Sequence, residues 1–239
     1  MSIPKARLKL QNIYDIIGTR SVQLQKKLVK CGINTTFVAQ SGIDADIILS
    51  DISFRDKWEN RGNEGLKIVY AGGITTDKNV GTIIKALGIL RAKVRFSFTV
   101  IGEGNCKADC IRTAEKNEII DACHFLGRLT RAETISQMRE ADVFIMVSQR
   151  ETLGLVYLEA MSQGCITIGS RDEGIDGILL NEKNGYLVQS GNEKELAARI
   201  LAIAESSLEE KMRVAYAGIE TIRQMTSEKT AEDYLKSVL

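Results

Sequence analysis

Short apolar runs, most of which end in glycine or serine, alternate with helical patterns, and this alternation constrains the fold more than any other feature of the sequence. The apolar runs cover residues 67–73, 96–102, 122–127, 142–148, 165–170 and 186–188. Alternating strands and helices are typical of a parallel sheet whose crossover helices cover both faces. The fourth run is apolar from Val143 to Val147, as expected for a strand buried on both sides. We therefore predict an α/β domain with a doubly wound parallel sheet over about residues 61–225.

A smaller unit precedes this domain. Residues 14–18 and 36–39 predict two strands, and residues 21–30 between them predict a helix capped by Ser21 and ended by Gly32. The polar residues 55–65 predict a linker. One β-α-β unit cannot bury both of its faces, so residues 1–60 are predicted to be a partial N-terminal unit that packs on the main domain or is the remnant of a larger domain.

The chain end is predicted to be helical. The stretch from Glu193 onward has the pattern of two amphipathic helices, of which the last covers about residues 227–239. We treat residues 226–239 as a separate C-terminal helix that follows the main domain.

Charge and composition exclude several classes of function. Lysine plus arginine (32) nearly balances aspartate plus glutamate (31), and like charges do not cluster, so no nucleic-acid partner is expected. No apolar stretch is long enough to span a bilayer, and the start lacks the apolar segment of a signal peptide. We expect a soluble, cytoplasmic protein.

The five cysteines do not form a recognisable framework. Their number is odd and no Cys-x-x-Cys pair occurs, so reduced thiols are expected. A metal site of Cys106, Cys110, Cys123 and His124 is the alternative. Cys123 and His124 are neighbours in a strand pattern, however, and would point to opposite faces. We expect neither a metal nor a cofactor.

The ends of the strands supply the candidate site. In doubly wound sheets, ligands bind at the carboxyl ends of the strands. Here those ends carry Gly72 and Gly73, Gly102, Arg128 and residues 148–154. The glycines match neither the dinucleotide fingerprint nor a Walker A loop. By themselves they indicate tight turns as readily as phosphate contact.

Residues 148–161 are more informative. A helix that begins near Gly154 would present unpaired amides and the positive end of its dipole to an anion such as a diphosphate. Glu151 lies just before this end, and Glu159 lies within the first two turns, where it could bind a ribose diol. The alternative is that both carboxylates merely complement the helix dipole. The other candidates in this segment are Ser148, Thr152, Leu155 and Val156.

Seven residues separate Glu151 from Glu159; Gly-Leu-Val lies between them and Ala-Met-x-x-Gly follows. This pattern resembles the Glu-x7-Glu signature of the retaining, GT-B family 4 (group 1) glycosyltransferases. Other segments resemble the same family in the same order. Residues 15–21 and 41–44 resemble the end of its N-terminal domain, and residues 70–73 with Lys78, 101–104 and 125–127 resemble its donor domain. Residues 173–177 and 184–188 resemble its capsule and cell-wall polysaccharide members in particular. The resemblance covers roughly residues 66–205 and implies the Rossmann-like, C-terminal, donor-binding half of a GT-B fold.

The resemblance implies a hexosyltransferase-type reaction with a UDP- or GDP-sugar donor and a hydroxyl acceptor on a glycan or a lipid-linked sugar, with retention of configuration. It implies that Lys78 and the helix start stabilise the departing diphosphate, that Glu151 orients the donor sugar, that Glu159 binds the ribose and that Arg128 lies near the base. The alternatives are a non-catalytic module that binds a nucleotide or partner and, less favoured, a sugar-nucleotide epimerase. The epimerase would need acid and base groups, but His124 lies within a strand.

Two residues depart from the family pattern. Gly73 stands where the family usually has an arginine on the diphosphate, and Gly177 stands where a glutamate near the donor sugar is often found. Family members also carry most of another domain before this sequence. We therefore expect this chain to be a fragment that binds donor without transferring sugar. Self-association of the fragment and peripheral membrane association of the complete enzyme remain open.

Overall fold

The strands form one large parallel sheet and one small one. The computed structural model describes residues 17–62 and 64–239. Its strands are β1 (Gly18–Thr19), β2 (Phe37–Val38), β3 (Leu66–Ala71), β4 (Phe96–Ile101), β5 (Cys123–Gly127), β6 (Val143–Ile145), β7 (Ile166–Ser170) and β8 (Tyr186–Val188). Its α-helices are α1 (Val22–Lys30), α2 (Asp51–Glu59), α3 (Val80–Leu90), α4 (Lys107–Lys116), α5 (Arg131–Glu140), α6 (Leu155–Ser162), α7 (Glu193–Glu205), α8 (Leu208–Arg223) and α9 (Ser227–Val238).

The large sheet has the strand order β5-β4-β3-β6-β7-β8, and every neighbouring pair is parallel. β3 pairs with β4 along its whole length and with β6 through Ile68 and Val143. The chain thus winds outward in both directions from β3, which confirms the predicted doubly wound α/β fold. The order reverses between β3 and β6, and such a reversal leaves a crevice at the carboxyl ends of the strands.

The core of the domain lies on both sides of this sheet. Ile68, Val69 and Tyr70 are consecutive in β3 and all are buried. Because alternate residues of a strand face opposite sides, their burial requires cover on both faces. Helices α3, α4 and α7 pack together, and α5, α6 and α8 form a second packed group.

The linker predicted over residues 55–65 is wrong for its first part, because helix α2 extends through Glu59. Ser50 caps this helix by accepting a hydrogen bond from the amide of Ser53 at 3.2 Å. Phe54 and Trp58 lie one turn apart on its inner face, both are buried, and the Trp58 Nε1 donates to the carbonyl of Gly164 at 3.2 Å. Most polar residues of α2 are exposed, but Lys57 reaches inward and donates to the carbonyls of Met138 and Gln163. A composition rich in polar residues therefore concealed the helix.

The N-terminal unit packs against the C-terminal helix. β1 and β2 pair in parallel, and Ser21 caps α1 by accepting from the amide of Leu24 at 3.2 Å, as predicted. Of the strand predicted at 14–18, residues 14–16 lie outside the described residues. Phe37 of β2 contacts Tyr234 of α9, with their ring centroids 5.6 Å apart. This contact covers part of the apolar face that the sequence left without a partner.

The C-terminal region contains three helices where the sequence predicted two. A break between α7 and α8 occurs because Ser207 caps α8, accepting from the amide of Glu210 at 3.1 Å. Across the ranges 17–62 and 64–239, no helix has both the length and the apolar character needed to cross a membrane.

Candidate functional site

An open cleft of about 560 Å³ lies at the carboxyl ends of β3, β4 and β6. It is lined by the turns after these strands, by the turn after β5 and by the first turn of α6. The lining residues are Ala71, Gly72, Gly73, Lys78, Ile101, Gly102, Glu103, Arg128, Leu129, Thr134, Met146, Glu151, Gly154, Leu155 and Val156. All but three of the predicted site residues line it. Two further clefts border Arg61, on the side where β3 begins, and contain none of the predicted site residues.

Glycines form the floor of the cleft. Gly102 has a φ of 132°, and a Cβ there would overlap the carbonyl oxygen of Gly72. The turns after β3 and β4 can therefore touch only because this residue has no side chain. The Tyr70 hydroxyl donates to the carbonyl of Gly73 at 2.7 Å and holds the first turn in place. Burial raises the pKa of this hydroxyl, so it remains a donor.

Lys78 is held at the cleft by the residue that follows it. Asn79 has a left-handed backbone, with φ 54°, and its side-chain amide donates to the carbonyl of Val147 at 3.0 Å and to Ser190 Oγ at 2.8 Å. The Lys78 Nζ lies 2.5 Å from Oε2 of Glu151. These two residues are 73 positions apart in the sequence, and the fold brings them together as an ion pair.

The backbone of Glu151 is hydrogen-bonded to the turn that contains Gly174. The amide of Gly174 donates to the carbonyl of Glu151 at 3.0 Å, and a Cβ on Gly174 would overlap the backbone of Thr152. The backbone of Thr152 therefore packs against this turn, and Thr152 does not line the cleft. The side chain of Glu151 is only 12% exposed.

Helix α6 points its N-terminus at the cleft. Gly154 precedes the helix with a φ of 76°, and a Cβ there would lie 2.8 Å from the ring of Tyr157. The amides of Leu155 and Val156 belong to the first turn, where backbone donors lack partners within the helix. The Tyr157 hydroxyl donates to the carbonyl of Met146 at 2.5 Å and ties the helix to the end of β6. A positive helix end therefore borders the same cleft as Lys78.

The remaining two predicted residues lie outside the cleft lining. Ser148 is fully buried behind it. Glu159 lies one turn beyond Leu155 and Val156 on α6, and its side chain is 16% exposed. Its Oε1 accepts a hydrogen bond from Nε of Arg131 at 2.8 Å.

Arg131, which the sequence did not single out, pairs with Glu159. Its Nη1 also donates to Oδ2 of Asp44 at 2.9 Å, so one guanidinium joins two carboxylates. These hydrogen bonds raise the pKa of Arg131 and lower that of Asp44. No motif marks this arginine, because Asp44 and Glu159 are 87 residues before it and 28 residues after it.

The cysteines and the histidine are not arranged as a metal site. Cys123 is buried and its neighbour His124 is exposed, in keeping with their predicted opposite faces. Burial raises the pKa of the Cys123 thiol to about 11. Outside the first 16 residues and residue 63, no group of three or more His, Cys, Asp or Glu side chains is placed to hold a metal ion.

A model of the family described as "Glycosyl transferases group 1" matches residues 52–221, which is more than half of the chain. This chain belongs to the group 1 glycosyl transferases. The match begins within α2.

Relatives of this group 1 glycosyl transferase match it over only part of their own length. The amylovoran biosynthesis glycosyltransferase AmsK of Erwinia amylovora is 25% identical over 190 residues, covering 76% of this chain and 45% of that protein. The alpha-monoglucosyldiacylglycerol synthase of Streptococcus pneumoniae is also 25% identical over 190 residues, covering 79% of this chain and 42% of that protein. The chain thus spans less than half the length of these curated relatives.

Solved structures share the fold. HepE of Anabaena, crystallised in complex with UDP and glucose, matches with a TM-score of 0.81 at 17% identity, covering 98% of this chain and 66% of that one. Sucrose-phosphate synthase from Thermosynechococcus elongatus matches with a TM-score of 0.78 at 19% identity, covering 97% of this chain and 60% of that one. At these identities the comparison establishes the GT-B, Rossmann-like architecture of this group 1 glycosyl transferase.

Proposed function

We propose that this domain binds a nucleoside-diphosphate sugar and forms the donor half of a retaining hexosyltransferase. The observation that carries the proposal is the convergence of Lys78, Glu151 and the N-terminus of α6 on one cleft at the switch point of the sheet. A cation and a positive helix end are suited to a diphosphate, and a carboxylate beside them is suited to sugar hydroxyls.

The diphosphate would lie between Lys78 and the first turn of α6. When the bond to the sugar breaks, negative charge accumulates on the leaving diphosphate. Both groups are already oriented toward the cleft, so they would stabilise this charge without reorganising. The absence of side chains at Gly72, Gly102 and Gly154 lets the phosphates approach the backbone closely.

The two glutamates would have different roles. Glu151 lines the cleft next to Lys78 and would orient the hydroxyls of the donor sugar or stabilise positive charge at its anomeric carbon. Glu159 lies one turn further along α6 and would accept hydrogen bonds from the ribose diol. Arg128 lines the cleft on the side of the turn after β5, near the proposed position of the base.

We propose a glycan or lipid-linked sugar as acceptor, since one relative is named for amylovoran biosynthesis and another for the synthesis of alpha-monoglucosyldiacylglycerol. GT-B chemistry takes place in a cleft between two domains, whose closure aligns the reactants and excludes water. We therefore propose that these 239 residues alone bind donor but do not transfer sugar, and that the complete enzyme works at the cytoplasmic side of a membrane.

Alanine substitutions test the roles of the two glutamates. Glu159→Ala is expected to weaken UDP or GDP binding by about 1 to 3 kcal/mol, because it removes a charged acceptor for the ribose hydroxyls. Glu151→Ala is expected to affect the free nucleotide much less, because Glu151 would contact the sugar. Isothermal titration calorimetry with nucleotide alone measures both, and Glu115→Ala on the exposed face of α4 is the matched control. Equal losses for Glu151→Ala and Glu159→Ala would contradict these assignments.

Nucleotide binding is expected to need no metal ion. Lys78 and the start of α6 already offset the charge of the diphosphate, so a divalent cation adds little to the affinity. Calorimetry of UDP and GDP in EDTA should match titrations in magnesium or manganese within experimental error. Loss of binding in EDTA would refute this prediction.

Gly73→Arg is expected to tighten nucleoside-diphosphate binding by about tenfold, since a guanidinium bound to phosphate forms charge-assisted, bidentate hydrogen bonds. The site has room for a side chain, because the nearest atom to a Cβ at Gly73 is Thr75 Cγ2 at 3.9 Å. Gly73→Gln is the control of similar length without the charge. Equal affinities of the arginine and glutamine variants would show that residue 73 does not face the phosphates.

A further inference from the structure

We infer that Arg131 is a positioning residue for the nucleotide ribose: it holds Glu159 in the orientation that binds the diol, and it is itself anchored by Asp44. This inference rests on the proposed function, in which Glu159 accepts hydrogen bonds from the ribose. It assigns a role to a residue outside the Glu-x7-Glu signature and to a contact with the segment that leads from β2 to α2.

The two oxygens of the Glu159 carboxylate differ in their hydrogen bonding. Its Oε1 accepts from Arg131 Nε at 2.8 Å, while among the described residues no hydrogen bond reaches its Oε2. One oxygen is therefore held by the protein and the other remains available to a ligand. Without Arg131, the flexible glutamate side chain would have to be ordered when the nucleotide binds, and that ordering costs affinity.

Arg131 and Glu159 each lie one helical turn from a residue that lines the cleft. Arg131 is the first residue of α5, and Thr134, one turn later, lines the cleft. On α6, Leu155 lines the cleft and Glu159 lies one turn later. Side chains on a helix lean toward its N-terminus, so Glu159 leans toward the turn that borders the cleft. The ion pair thus lies at the edge of the proposed donor site.

Asp44 anchors the Arg131 side chain. Asp44 binds Arg131 Nη1 at 2.9 Å, and the residue before it, Ile43, is fixed by two backbone hydrogen bonds. Ile43 donates its amide to the carbonyl of Met225 at 3.1 Å, and its carbonyl accepts from the amide of Ser227 at 2.8 Å. The planar guanidinium presents Nε and Nη1 to two carboxylates at once, which a lysine ammonium cannot do with the same geometry. Arg131 is therefore held at a fixed point.

The test uses nucleotides with and without the ribose diol. Calorimetry would measure UDP and GDP, and their 2′,3′-dideoxy forms, on the wild-type chain and on the Arg131→Ala, Arg131→Lys, Asp44→Asn and Glu159→Ala variants. Arg131→Ala is expected to weaken binding of the ribonucleotide about tenfold and to change binding of the dideoxy nucleotide less than about twofold. Arg131→Lys should recover little of the loss. Asp44→Asn should cause a smaller loss that disappears in the Arg131→Ala background, because both act through one contact.

Controls separate this role from a structural one. The side chain of Arg131 is 53% exposed, and exposed ion pairs contribute little to stability, so the variant should fold normally. Arg112→Ala, which removes an exposed arginine from its ion pair with Asp109, is the matched control and should leave both affinities unchanged. The inference is overturned if Arg131→Ala weakens both nucleotides equally, changes neither, or tightens ribonucleotide binding, as it would if Arg131 blocked the site.

The same data distinguish failure of the inference from failure of the proposed function. If the wild-type chain binds neither nucleotide, or if Glu159→Ala keeps the wild-type preference for the diol, the assignment of Glu159 fails, and the role of Arg131 fails with it. If Glu159→Ala abolishes that preference and Arg131→Ala keeps it, only the inference about Arg131 is wrong.

Discussion

Lys78→Ala is expected to weaken UDP or GDP binding by about 100-fold, since a hydrogen bond to a charged group contributes a few kcal/mol and each 1.4 kcal/mol is tenfold. The substitution also leaves Glu151 without its cationic partner. That carboxylate is only 12% exposed, so water screens it poorly and it would repel the diphosphate. Both effects act in the same direction. Calorimetry with the free nucleotide measures the loss.

Two further variants make this prediction specific. Lys107→Ala removes a lysine from a comparable ion pair, 2.7 Å from Glu103 beside the same cleft, and is expected to change the affinity little. The double variant Lys78→Ala, Glu151→Ala is expected to bind free nucleotide more tightly than Lys78→Ala alone, because it also removes the repelling carboxylate. If the double variant binds more weakly, Glu151 contributes directly to nucleotide affinity and its proposed role at the sugar is wrong.

Trp58→Ala is expected to lower the free energy of unfolding by about 3 to 5 kcal/mol, the usual cost of removing a buried aromatic side chain. Trp58 is almost completely buried, and its indole also donates to the carbonyl of Gly164. That carbonyl lies between α6 and β7, so the loss would be felt in the core of the domain. A loss of this size is a large fraction of the stability of a typical domain.

Urea unfolding followed by circular dichroism measures this effect, because Trp58 is the only tryptophan and its fluorescence would be lost. Ile52→Ala on the same helix is the control, since Ile52 is 75% exposed and its loss should cost less than about 0.5 kcal/mol. A loss below about 1 kcal/mol for Trp58→Ala would show that α2 is a loosely attached connection and would restore the linker interpretation.

The strands of the large sheet and the chemistry at their ends could be predicted from local patterns. A strand buried on both faces has to be apolar throughout, as in Val143–Ile145, and a turn that approaches another backbone has to carry glycine, as at Gly102. Glu151 and Gly154 were found in the same way, because they lie where a strand ends and a helix begins, whereas Lys78 was identified through the family resemblance. The structure brings these three to one cleft.

Helix α2 was missed because its burial depends on distant residues. Phe54 and Trp58 are its only buried residues, and two buried apolar residues in a polar stretch do not distinguish a helix from a linker. What makes them core residues is the presence of Gly164 and Tyr216 beside them: the rings of Phe54 and Tyr216 lie 5.2 Å apart, and Trp58 bonds to Gly164. Those partners are more than 100 positions away in the sequence.

The sequence by itself determined the alternation of strands and helices, and with it the doubly wound sheet and the edge at which the cleft lies. These follow from short-range physics: side-chain periodicity, helix caps and the freedom of glycine act within a few residues. The tertiary structure alone decided which charges on separate elements are paired. Lys78 with Glu151, and Arg131 with both Asp44 and Glu159, are joined by the packing of separate elements, and no local pattern encodes the few ångströms that make an ion pair.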